Sequence, residues 1–296
     1  MKQKRRDPRW AWCLIIGGLA LLAVCVLASM LLRLPREAPA PVDDTPPETA
    51  APTPEPSPEP TPEPTPEPSP EPTPEAMPEP APGPLIVIDP GHQQNGDYGQ
   101  EPLGPGSAET KARVSSGTAG VVTGIPEYEL NLAVSLLLRD ELLARGCRVV
   151  LTRESNEVSI SNVERAAIAN ELGADAFLRI HANGSDDPNA RGIMTICMTA
   201  SNPWCASLYP QSRALAEAVL DALGRATGCG EAQRTLWETD SMSGINHSTV
   251  PVIIVEMGYM SNPEEDRLLA DDDYRAAVAA GIADGLEAWL SAQKEN

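Results

Sequence analysis

The chain has 296 residues, 31 of them proline, and a formal net charge of −20 at pH 7. A balance this acidic excludes a nucleic-acid partner, because phosphate binding needs a basic footprint. The prolines crowd between Pro35 and Pro84, so much of the length is not globular.

Residues 1–9 form a basic segment, with Lys2, Lys4, Arg5, Arg6 and Arg9 against Asp7 alone. Residues 10–32, Trp10 to Leu32, carry no charge, and about 20 apolar residues suffice to cross a bilayer. A cleaved signal peptide has a shorter apolar core, about 7–15 residues. A lipidated Cys25 would follow Val24, a poor residue there, and the apolar run continues beyond it. The segment is therefore read as an uncleaved transmembrane signal anchor. By the positive-inside rule its N-terminus is cytoplasmic and the rest of the chain lies outside.

Residues 33–84 read as a disordered Pro/Glu-rich linker. Glu55, Glu59, Glu63, Glu67 and Glu71 recur every fourth residue within Thr/Ser-Pro-Glu-Pro units. Alternating prolines remove backbone donors and fix φ, which leaves polyproline II. At about 3.1 Å per residue such a tether reaches on the order of 150 Å.

Residues 85–296 read as one α/β domain, three-layered, with a largely parallel sheet flanked by helices. Leu85–Ile88 is a short apolar strand running into Asp89-Pro90-Gly91-His92. Residues 93–126 are rich in Gly, Pro and Ser and read as a loop. Leu130, Val134, Leu137, Leu138 and Leu142 have helical spacing, and Gly146 is the stop. Cys147–Leu151 is a strand, Ser161 caps a helix ending at Gly173, and strands follow at 176–180 and 192–198. A helix over 207–226, a buried strand over 252–255 and two closing helices complete the alternation that marks α/β architecture.

His92 and His181 each directly follow a predicted strand, and so does Glu256. In open α/β sheets ligands bind outside the carboxyl ends of strands, so these groups have a reason to converge. Two imidazoles and a carboxylate suit zinc with an open fourth position. No His-Glu-x-x-His helix is present, and on these features alone a metal site and satisfied structural histidines both stand open.

Six motifs carry a resemblance. They are Asp89-Pro90-Gly91-His92; Glu127 with Asn131-Leu132-Ala133; Thr152-Arg153; Arg165 with Ala169-Asn170; Ile180-His181-Ala182-Asn183; and Pro251 through Val255-Glu256 and Gly258-Tyr259 to Ser261-Asn262. In this order they resemble the zinc-dependent N-acetylmuramoyl-L-alanine amidases of bacterial cell walls, across essentially all of residues 85–296. The resemblance implies Zn²⁺ held by His92, Glu127 and His181, Glu256 as catalytic carboxylate, and peptidoglycan as substrate. Together with the N-terminal anchor, it gives the expectation of an autolysin held at a bacterial cell membrane by a single span, its catalytic domain facing the wall and read as a monomer. Asn183 is a candidate substrate contact and equally a turn former.

The sequence departs from the family in three places. Gln93-Gln94 replaces two glycines, Arg179 stands where Ser is usual before Ile-His, and His92 and Glu127 are unusually far apart. Glu109 and Glu129 are the other acids near the third ligand's place, but only Glu127 stands four residues before Asn131. His247 reads as a packing or cleft residue, Arg153 and Arg165 as partners of acids, and Trp204 and Trp237 as anchors. Cys147, Cys197, Cys205 and Cys229 read as unpaired. A carboxypeptidase of the same fold and an inactive wall-binding domain are the other function classes.

Overall fold

The computed structural model describes residues 83–294. The basic segment, the anchor and nearly all of the linker lie outside the described residues. Among the described residues no helix is long and apolar enough to cross a membrane.

One six-stranded sheet organises the domain, in the order β4-β1-β5-β8-β6-β7. Its strands are β1 (Leu85–Pro90), β4 (Arg148–Leu151), β5 (Ala176–Asn183), β6 (Ile193–Cys197), β7 (Arg234–Glu238) and β8 (Val252–Tyr259). The pairs β1/β4, β1/β5, β5/β8 and β6/β7 are parallel. Only β6/β8 is antiparallel. β1 is buried along its whole length, which accounts for its unbroken apolar run, since central parallel strands are covered on both faces.

Helix α1 (Glu127–Ala144) joins β1 to β4, and α2 (Asn162–Glu171) joins β4 to β5. The two crossovers run in opposite directions along the sheet, and right-handed crossovers then put their helices on opposite faces. On the α1 side, the C-terminal helix α6 (Asp272–Lys294) packs against both α1 and α3 (Tyr209–Thr227). On the other side, α2 packs against the short α4 (Ser243–Asn246). The remaining helix, α5 (Pro263–Leu269), follows β8.

Local signals held where they were strong. Ser161 accepts from the Glu164 N–H while the Glu164 carboxylate accepts from the Ser161 N–H, a complete capping box for α2. Two expectations were wrong. The stretch 93–126 is not all loop: it contains an antiparallel hairpin, β2 (Asp97–Pro102) and β3 (Thr110–Val114). Its residues lack apolar alternation because the hairpin packs on α2 and α4 through polar groups. Glu101 accepts from Ser243 Oγ at 2.7 Å and Val163 N at 3.2 Å, and Asn162 Nδ2 donates to the Arg113 carbonyl at 2.6 Å. Strand β7 was also missed, because a sheet-edge strand needs only Leu236 turned inward. The last linker residues, Gly83 and Pro84, belong to the domain, since their carbonyls accept from Arg148.

Candidate functional site

Asp89 ends β1 fully buried, and its register partner on β5 is Arg179. Its Oδ1 accepts from Thr152 Oγ1 at 2.5 Å and Arg165 Nη1 at 2.7 Å, and its Oδ2 from Arg179 Nε at 2.9 Å. Burial alone would raise this carboxyl; Arg165 and Arg179 outweigh it and hold Asp89 far below the usual carboxylate range. Arg165 goes on to bond the carbonyls of Pro90 and His92 and the side chain of Gln93. Gln93 is buried and accepts from Ile160 N as well, so the departure from glycine supplies a tie between the β1 turn and the start of α2. Arg153 anchors the same turn from another side, but through the carbonyls of Pro90, Gly91 and Tyr128 rather than an acid. That corrects its expected role.

This scaffold fixes the turn that carries His92. His92 has φ 59°, the left-handed region, where a non-glycine residue is strained and held by its surroundings. Its Nδ1 donates to the Ser115 carbonyl at 2.9 Å. Its Nε2 lies 3.1 Å from Glu127 Oε1.

Glu127 is the first residue of α1 and is buried. Asn131, one helical turn on, donates to Glu127 Oε1 and to the Gly91 carbonyl, both at 3.2 Å. The four-residue spacing thus locks the carboxylate to the His92 turn. Thr118 N and Ala182 N donate to its two oxygens. Burial opposes ionisation, but hydrogen bonds from His181 and His92 prevail and keep the carboxyl well below its ordinary value. His181, on β5, places Nδ1 3.3 Å from Glu127 Oε1. Burial, ahead of every other cause, pushes its imidazole down to about 4, so it is neutral.

The ligand atoms of His92, Glu127 and His181 all lie within 4.8 Å of one another. The imidazole rings meet edge to face with centroids 4.8 Å apart. Two imidazole nitrogens and a carboxylate oxygen so close together could hold a metal ion between them. The donor set suits zinc, which takes imidazole nitrogens and carboxylate oxygens near 2.0–2.2 Å. Glu109, near the hairpin turn, and Glu129, on the outer face of α1, are exposed and stand outside the cluster.

Two glycines are required by this geometry. A side chain at Gly91 would run into the His181 imidazole, and one at Gly117 (φ +81°) would meet Glu127 and His92.

Glu256 is the direct register partner of His181 on β8. Its Oε2 is buried without a hydrogen-bond partner among the described residues. Burial, then the charge of Glu127, pushes its carboxyl up to about 8. A buried carboxylate without a partner is costly, so this group calls for a cation or a proton beside it. Asn183, the last residue of β5, lines the same cleft, and its Oδ1 accepts from Gly184 N at 2.8 Å.

His247 lies apart from the cluster, its Nε2 against the Pro102 carbonyl at 3.2 Å. Trp237 is exposed on β7, and Trp204 packs against Gly104. The four cysteines of the domain are free thiols. Sequence reasoning missed Ser115, Thr118 and Gln93, which orient the cluster; they sit in irregular chain with no periodic signal.

Known proteins place this arrangement. The chain is 31% identical over 219 residues to an N-acetylmuramoyl-L-alanine amidase of Mycobacterium tuberculosis, covering 71% of this chain and 88% of that protein. It is 30% identical over 203 residues to the amidase LytC of Bacillus subtilis, 69% of this chain but 35% of that longer protein. The crystal structure of the N-acetylmuramyl-L-alanine amidase Ami1 from Mycobacterium smegmatis superposes with a TM-score of 0.64 at 30% identity, covering 71% of this chain and 98% of that one. The model of the N-acetylmuramoyl-L-alanine amidase family matches residues 86–288, and the chain belongs to that family.

Proposed function

We propose that this protein hydrolyses the amide bond joining the lactyl carbonyl of N-acetylmuramic acid to L-alanine in peptidoglycan, with His92, Glu127 and His181 holding Zn²⁺. The observation that carries the reading is the convergence of three ligand atoms within 4.8 Å beside Glu256, whose Oε2 is buried and unpartnered. A zinc ion bound there supplies Lewis acidity, polarising the scissile carbonyl and making water nucleophilic near neutral pH.

The chain's own residues do the rest. Glu256 stays out of the cluster of three and is free to accept the proton of the attacking water. It then delivers that proton to the departing alanine nitrogen, the work of a general base that becomes a general acid. A nearby cation favours the ionised carboxylate, which offsets the burial that otherwise keeps Glu256 protonated. Asn131 and the Thr118 and Ala182 amides hold Glu127 so that it does not swing with the substrate. Asn183, whose Oδ1 accepts from Gly184 N, is the candidate contact to the glycan.

The N-terminal sequence supports a membrane-anchored enzyme whose tether lets the domain reach the wall from a bacterial cell membrane. The test is to treat purified peptidoglycan with the full-length protein, with and without a chelator. New L-alanine amino termini that vanish with the chelator and return with zinc are expected. Release of single amino acids instead would replace this reading with a carboxypeptidase.

A further inference from the structure

The cluster separates two cavities that share His92, Ser115, His181 and Glu256. They differ in chemistry. The larger, about 560 Å³, is lined by hydroxyl and amide groups, among them Thr118, Asn183, Ser185 and Ser261, and its additional acids are Glu127 and Asp186. The smaller, about 270 Å³, lies between the β2–β3 hairpin and the sheet and is walled by Lys111 and Arg179 together with Asn162 and Ser243. Its one acid is Glu256.

Arg179 stands two residues before His181 and so on the same face of β5. Asp89 and Asn162 hold its Nε and Nη2, while no hydrogen bond engages Nη1 among the described residues. Lys111 reaches in from β3 and donates to the Ser241 carbonyl at 2.8 Å. It forms no ion pair among the described residues, and an ammonium has three donors to place. Burial first, and then Arg179, push its amine below the ordinary value, against the opposing charge of Glu101. Of the charged groups in the wall, Arg179 is paired with Asp89 behind it, Lys111 has Glu101 beside it across the hairpin, and Glu256 faces both.

A muramic acid already joined in the scissile amide has spent its carboxyl, so its sugar offers hydroxyls and an acetamide. Carboxylates lie on the other side of that bond, in the peptide. We infer that the Lys111–Arg179 cavity is a carboxylate subsite for the acidic residue following L-alanine, and that the hydroxyl-lined cavity takes the sugar. This inference rests on the amidase reading and adds selectivity between acidic and amidated stem peptides.

The experiment compares N-acetylmuramoyl-L-alanyl-D-glutamate with its counterpart amidated at both glutamate carboxyls, in the full-length protein and in Lys111→Met. A charge-assisted pair should give the wild type about a tenfold preference in kcat/KM for the acidic substrate, mainly through KM. Lys111→Met should lose most of that preference. Equal kcat/KM for both substrates in the wild type, or a variant that slows both alike, overturns the subsite. Calorimetry with the product peptide L-alanyl-D-glutamate reads the cavity without turnover. Lys111-dependent binding without hydrolysis keeps the subsite and removes the amidase reading; hydrolysis without charge preference does the reverse.

Discussion

His181 and Glu256 sit directly opposite one another on the adjacent parallel strands β5 and β8. One belongs to the group that can hold a metal and the other does not. Strand pairing therefore fixes the distance between the His92–Glu127–His181 cluster and the Glu256 carboxylate, independently of the surrounding loops.

Glu256→Gln keeps the shape and removes the titration. Turnover should fall by about 10²–10⁴-fold, the usual worth of a general acid–base group, while zinc content stays at the wild-type level. Amide hydrolysis and metal analysis on one preparation check both halves. Undiminished turnover would leave the carboxylate without a role.

The same residue predicts a pH dependence of stability. In the metal-free protein its carboxyl is raised from 4.5 to about 8 by burial and then by Glu127. A folded state that binds the proton more tightly gains stability below the unfolded value, and that gain is lost as pH rises through about 8. Chelated wild type should thus weaken relative to chelated Glu256→Gln between pH 4.5 and 8, and the gap should close when zinc is added. Urea denaturation at a series of pH values measures it; parallel curves would contradict a buried, protonated acid.

Gly91→Ala tests how tightly the metal cluster is built. The added methyl meets the His181 ring, and the imidazole must turn away from Glu127. Zinc affinity should fall roughly 10–100-fold, as when an orienting partner of a metal ligand is lost. A competition titration against a chromogenic chelator reads this directly.

Arg165→Met attacks the support beneath His92. Arg165 is fully buried and bonds Asp89, Gln93 and two carbonyls of the turn. Removing one partner of a buried ionic network typically costs about 3–5 kcal/mol. Denaturant unfolding should show a loss of that size, together with weaker zinc binding, because His92 loses the bond to its carbonyl.

Several features were legible because their causes are local. The Ser161 and Glu164 box starts α2 wherever the rest of the chain goes, and the apolar β1 run reads as a covered strand. Glu127 was identifiable by its four-residue lead on Asn131, and the hydrogen bond between the two gives that spacing its physical reason. The β2–β3 hairpin was illegible because Glu101, Arg113 and Asn162 find their partners far along the chain, so no short-range pattern marks it. Arg179 was seen only as a departure from the family form, and its pairing with Asp89 appears only once β1 and β5 lie side by side.

By itself, then, the sequence determined the alternation of the main strands and helices, the family, and the three residues His92, Glu127 and His181 that meet in one cluster, since periodicity, caps and motifs are written in neighbouring positions. The tertiary structure alone decided that a polar hairpin closes one side of the cleft and that Lys111 and Arg179 charge that side while hydroxyls line the other. Electrostatic surroundings are a sum over residues distant in sequence, and only the folded sheet brings those residues within reach of one another.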